Sequence, residues 1–273
     1  MMKMIRVEWL KLKYYRPFWI LLAMYSLMTL LVACGGMAFL TWLKNEGADI
    51  KGYNPTDLPI YDFPDIWQNL TFLVSFFKII LAFIVIMSVN NEFNFRIVRQ
   101  NIIDGLDKKD WLLSKVTLIA SISTYATILV FLSGLIMGLI YSHPDARPLF
   151  WVNTHFLIVY FFDLFIFLCF AMMLSLLIRK GPLVIVGLFM YTLAFEPIAA
   201  ALILYYPNFP ESLRFLADLL PVQALRNLTP FPFKRFMFYE VSDVVPFISA
   251  IIATVWGVFY LGMSYWILKR KDL

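Results

Sequence analysis

The chain has 273 residues, of which 62% are hydrophobic and only 15% charged, whereas a soluble domain carries about 25% charged residues. That balance excludes an ordinary soluble domain and predicts an all-α integral membrane protein. Strand-length segments of alternating polarity, the signature of an outer-membrane barrel, do not occur. The net charge of +5 is no sign of nucleic-acid binding, because the distribution of the cations along the chain accounts for it.

Residues 1–16 read as an amphipathic helix. Met2, Ile5, Trp9 and Leu12 share one face, while Lys3, Arg6, Lys11 and Lys13 fall mostly elsewhere. Such a helix lies in the membrane interface with its cations towards lipid headgroups; a positively charged start that only sets topology is the plainer reading. Arg16-Pro17 then turns the chain into the membrane. Six apolar runs follow, at roughly 18–40, 70–89, 116–141, 150–178, 183–205 and 245–268. Each reaches the ~20 residues that a bilayer core requires, and together they predict six transmembrane helices in one domain covering residues 1–273. Leu31-Val-Ala-Cys34-Gly35 resembles a lipoprotein cleavage box. However, hydrophobicity continues through Met37, Phe39 and Trp42, so the run reads as a retained span. Cys34 and Cys169 read as small packing residues within spans.

Between the runs, residues 41–69 form an outer loop with Pro55, Pro59 and Pro64, too proline-rich for a long helix. Arg179-Lys-Gly-Pro182 is a tight hairpin that makes the fourth and fifth runs antiparallel neighbours. The longest loop, 206–244, holds two short outer helices, one over 212–220 stopped by Pro221 and one over 222–228, ahead of Pro230 and Pro232. With the N-terminus placed in the cytoplasm, the segments on that side carry 15 of the 23 Lys and Arg residues, against seven in the longer segments opposite. This positive-inside pattern places both termini and the 92–115 loop in the cytoplasm.

That loop is too charged for lipid and too patterned for a plain connector. Ile97/Val98 and Ile102/Ile103 recur at helical spacing beside Arg96, Arg99 and Gln100. Gly105 is a C-terminal stop, and Asp107, with Asp110 three residues on, is the N-cap of a new helix. The loop therefore reads as helix, stop, cap and helix, with its first helix over 92–104 as a docking element. A basic loop that only anchors topology is the alternative.

Catalytic patterns are missing. No phosphate-cradling Gly-x-x-x-x-Gly-Lys-Ser/Thr loop, no His-Glu-x-x-His and no Gly-x-Ser-x-Gly occurs, so neither ATP hydrolysis nor intramembrane proteolysis is expected of this chain, and no metal site is predicted. Gly134-x-x-x-Gly138 lies within a span, where small residues let helices approach closely. Ionisable residues inside spans are costly and point to function. Lys78, Asp163 and Glu196 are such residues, and either Lys78–Asp163 or Lys78–Glu196 would cancel charge. They read as pathway groups or as a structural ion pair. Pro197 after Glu196 predicts a kink in the fifth run.

The loop resembles the coupling-helix region of permease subunits of type-2 ABC exporters, with closest similarity to the bacitracin- and lantibiotic-immunity-like branch. The matching residues are Glu92, Arg96, Arg99-Gln100, the Ile-Ile-Asp-Gly105 turn, Lys108-Lys109 and Lys115. Ile97, where many relatives carry Thr, and the basic pair, where Ser-Arg is common, depart from the pattern. The resemblance implies a non-enzymatic half-transporter in the inner membrane of a bacterium. Two such chains, identical or paralogous, would enclose the pathway among membrane lipid. A separate cytoplasmic subunit would carry ATP-Mg, with no cofactor on this chain and no nucleic-acid partner. The ATPase would dock on Glu92, Arg96, Ile97, Arg99, Gln100, Ile103 and Gly105. A secondary transporter or channel using the intramembrane charges, and a membrane sensor or scaffold recruiting a soluble partner, remain the competing classes.

Overall fold

The structure, a computed structural model, describes residues 2–47, 60–207, 209–232 and 245–270, with side chains from Glu8 onward. Every regular element among them is helical. A short helix α1 (Met2–Lys13) precedes α2 (Arg16–Asn45). The latter carries Pro17 in its first turn, where a missing N–H is no loss. Next come α3 (Ile66–Ser75), α4 (Lys78–Asn94), α5 (Ile97–Ile103) and the longest helix, α6 (Lys108–Tyr141). α7 (His155–Ile178) ends at Arg179 in a left-handed conformation with φ of 56°. The two-residue turn then feeds α8 (Gly181–Met190), which packs back on α7, as the hairpin reading expects. A π-helical turn, Tyr191–Phe195, joins α8 to α9 (Glu196–Tyr205). A 3-10 turn at Glu211–Ala217, α10 (Pro221–Arg226) and α11 (Phe247–Arg270) complete the described chain.

Among the described residues, α2, α6, α7, the α8–α9 unit and α11 are each long and apolar enough to cross a membrane. This is the signature of a multi-pass membrane protein. The second predicted run is not one straight helix: α3 and α4 meet at a 48° bend. The cause is local. Ser75 Oγ donates to the Phe72 carbonyl at 2.8 Å, the acceptor that the Phe76 N–H would use in a regular helix. Phe76 N–H reaches the Leu73 carbonyl instead, at 3.4 Å, and Phe77 N–H the Val74 carbonyl. Hydroxyl back-bonding of this kind competes with the backbone ladder and bends helices.

The predicted kink in the fifth run takes the form of the π turn just ahead of Glu196-Pro197. The Glu196 N–H bonds back to the Tyr191 carbonyl, five residues away; the wider turn accommodates a proline that lacks the next donor. Other boundaries shift. The predicted outer loop 41–69 gives up Ile66 onward to α3, and 150–154 are turn rather than helix. The short helix expected over 212–220 is a 3-10 turn, and the second runs over Pro221–Arg226. Pro55 and Pro59 of the predicted loop lie outside the described residues, as do Lys234 and Arg235.

The centre of the bundle is α7. It is apolar all round, as a helix surrounded by other helices must be, and it packs on α4, α6, α8 and α11. Cys169 on it is buried and free, as a packing residue should be. Cys34 on α2 is exposed, contrary to expectation. Lipid tails are as apolar as side chains, so helix association in a membrane depends on close packing. Gly134 and Gly138 on α6 supply it. A Cβ on Gly134 would meet the Trp67 ring at 3.0 Å, and one on Gly138 would collide with the ring of Phe63. Phe63 cannot easily give way, because it is buried and packed between Trp67 and Phe150.

Overpacking of a filled site costs about 1–3 kcal/mol, or roughly 2–4 °C per kcal/mol for a domain of this size. Gly138→Ala should therefore lower the melting temperature of the detergent-purified protein by several degrees. Gly187→Ala, where an added Cβ meets nothing within 4 Å, should leave it unchanged or raise it. Equal melting temperatures for the two variants would contradict the packing argument.

Candidate functional site

The loop predicted as a docking helix over 92–104 is two pieces. α4 runs on through Glu92 and ends at Asn94; Arg96 then takes a left-handed φ of 57°, and α5 starts at Ile97. A turn of this hand reorients the chain sharply, so α5 does not continue the axis of α4. It ends in a Schellman motif, in which Gly105, with φ of 93°, donates to the Ile102 carbonyl and Leu106 to that of Asn101. The glycine stop is thus realised. Asp107 occupies the N-cap position of α6 with extended backbone, but its side chain makes no capping bond.

One side of α5 is anchored by Val98, which is buried. Arg96, Arg99, Gln100 and Ile103 are exposed, Gly105 is exposed, and Ile97 is partly covered. Phe95 and Ile103 are 73% and 75% exposed, two large apolar groups on a surface otherwise formed by arginines. Phe95 was not among the predicted docking residues.

Glu92 is not on that surface. Its side chain is buried, and it belongs to an internal cluster instead. Lys115 Nζ, only 1% exposed, donates to Glu8, to Glu92 Oε1 at 2.9 Å and to Ser88 Oγ at 2.9 Å. Lys11 Nζ donates to the same Glu92 Oε1 at 2.8 Å. The other oxygen, Oε2, accepts from Trp111 Nε1 at 2.6 Å. Two carboxylates thus face two ammonium groups, contributed by α1, α4 and α6. Lys11, expected to face lipid headgroups, turns inward. Leu12, on the predicted apolar face, packs into the core, whereas Trp9 is exposed. Met2, Ile5, Lys3 and Arg6 have side chains outside the description.

A second charged group lies at the other end of α4. Lys78 Nζ donates to Asp163 Oδ1 on α7 at 2.7 Å, both residues being buried. Of the two predicted pairs, this is the one formed. Glu196 pairs with neither. Its Oε1 accepts the backbone N–H of Gln223 at 2.6 Å, holding the first turn of α10 against the π turn. Beside the Lys78–Asp163 pair lies a cavity of about 350 Å³, walled by the ends of α3 and α4, by α7 and α8, by the π turn and by α10. Thr192 and Arg226 also line it. Sequence reasoning missed Glu8, Thr192 and Arg226. Glu8 carried a signal, as the lone acid among five cations in residues 1–16, three positions before Lys11; the other two carried none.

No protein-family model matches the chain, and no curated protein matches it.

Removing one member of a buried, hydrogen-bonded charge group costs about 3–5 kcal/mol, because a charge is left without its counterpart. Lys115→Met should abolish most of the monodisperse peak when a fluorescent fusion is chromatographed in detergent. Glu92→Gln combined with Lys11→Met removes one charge of each sign and should retain far more. Normal elution of Lys115→Met would show that the cluster does not hold α1.

Proposed function

We propose that this chain is the membrane-spanning permease subunit of a type-2 ATP-binding-cassette exporter, driven by a separate cytoplasmic ATPase subunit. The observation that carries the reading is the exposed face of α5. The seven-residue α5 exposes Arg99, Gln100 and Ile103, and the turn before it exposes Phe95 and Arg96, a mixture of cations and apolar anchors suited to a protein partner. In this reading the bent α3–α4 pair counts as one crossing, so six crossings place both termini and α5 in the cytoplasm of a bacterial inner membrane. α1 lies in the plane of the membrane. A second copy or a paralogue completes the pathway. ATP-driven closure of the ATPase pair presses on α5, and the cluster at Glu92 passes the displacement to α1 and α6. The bend at Phe76 and the π turn at Tyr191–Phe195 are where the pressed helices yield.

A second reading has one observation in its favour: a buried Lys78–Asp163 pair beside a cavity is also what an ion-coupled transporter would use.

Co-expression with any ATPase subunit encoded near this chain should yield a stable complex, and Arg96→Glu with Arg99→Glu should reduce its stimulated turnover at least tenfold while leaving the permease folded. Failure of every neighbouring ATPase to bind would sink the exporter reading. Gradient-driven flux by the chain alone in proteoliposomes would establish the second.

A further inference from the structure

Two breaks in regular helix open onto the same cavity. The bend between α3 and α4 contributes Phe76 and Lys78; the π turn contributes Thr192. π turns inside helices recur at functional sites. Two cationic side chains on its wall have hydrogen-bonding capacity left over. Lys78 has three N–H donors and gives one to Asp163 Oδ1. Arg226 gives one N–H to the Thr192 carbonyl at 3.3 Å and forms no ion pair among the described residues. Thr192 is 7% exposed, and its Oγ1 is buried with no hydrogen-bond partner. That oxygen is closed off from the cavity, so Thr192 contributes wall rather than a hydrogen bond.

The charges on the wall are unequal. Lys78 and Arg226 face the cavity against Asp163 alone. Glu196 does not line it; its Oε1 accepts from the backbone of α10, and its carboxyl interacts electrostatically with Arg226 from behind the wall. The rest of the wall is dominated by phenylalanines, Phe76, Phe167 and Phe189 among them. A volume of about 350 Å³ lies at the small end of ligand sites, which run roughly 300–1,000 Å³. It holds a head group and part of a chain.

We propose that this cavity binds an anionic amphiphile, a carboxylate or phosphate on an apolar chain. Its head accepts hydrogen bonds from Arg226 and Lys78, and its chain lies along the phenylalanines. That the ligand is cargo rests on the permease reading; that it binds does not.

The test titrates the full chain, purified in an uncharged maltoside detergent without any ATPase, by calorimetry against empty micelles. The probes are octyl phosphate, octanoate, inorganic phosphate, octyltrimethylammonium and octanol. Octyl phosphate or octanoate should bind saturably, and more tightly than phosphate or octanol; comparing the two identifies the preferred head. Arg226→Gln, a change at an exposed residue, should weaken that binding at least about tenfold, as expected for a hydrogen bond to a charged group. Equal or tighter binding of octyltrimethylammonium would overturn the proposal, as would unchanged affinity in that variant. The same probes added to the complex with its ATPase separate the two readings. Binding without any effect on turnover keeps the site and removes the cargo role. A docked, active ATPase with no binding by the chain removes the site and keeps the permease.

Discussion

The end of the bundle where α1, α4 and α6 meet depends on where the Lys115 ammonium is. It is almost completely removed from solvent, and it sits between carboxylates brought by two other helices, Glu8 of α1 and Glu92 of α4. A charge in that position is tolerable only with its partners in place. Each of the three helices is therefore restricted by the other two. α1 is too short to be held by hydrogen bonding along its own backbone; Glu8 ties it to α6 and Lys11 ties it to α4, with Leu12 buried beside them. The cluster balances its charges internally, two carboxylates against two ammonium groups.

The same condition recurs higher in the bundle with fewer groups. Asp163 sits on α7, whose surroundings are otherwise apolar, and Lys78 is its direct ion-pair partner. Where the lower cluster fixes three helices by several bonds, the upper pair joins two by one, next to a cavity and beside two irregular turns. Glu196 lies next to the π turn and accepts a backbone N–H of α10, so α10 is attached there.

The long apolar runs were legible as helices because nothing but a helix satisfies its own backbone in lipid. Their ends and interruptions were not. The bend after Ser75 comes from one hydroxyl taking one carbonyl, a choice that composition and periodicity do not register. Lys78 could have met Asp163 or Glu196, because residues at similar depth are equivalent until the helices are placed around α7. Glu92 was read as a surface residue because a carboxylate at the end of an apolar run ordinarily faces water; its partners, Lys11 and Lys115, are 81 and 23 residues away in sequence. By contrast, Gly105 was legible, since its role is local and needs only a left-handed residue at the end of α5.

These features meet on α4. Lys78 stands at its first position and Glu92 two residues before its end; at 1.5 Å per residue they are roughly 21 Å apart along one rigid helix. One end is tied to α1 and α6 and continues through a sharp turn into the exposed α5. The other is tied to α7, borders the cavity and meets α3 at the bend. In the permease reading, a load applied to α5 would not be absorbed at Glu92, where separating the charges is costly. It would be passed along α4 towards Lys78, where the neighbouring turn of backbone is irregular. α4 thus connects the exposed α5 to the buried Lys78–Asp163 pair beside the cavity.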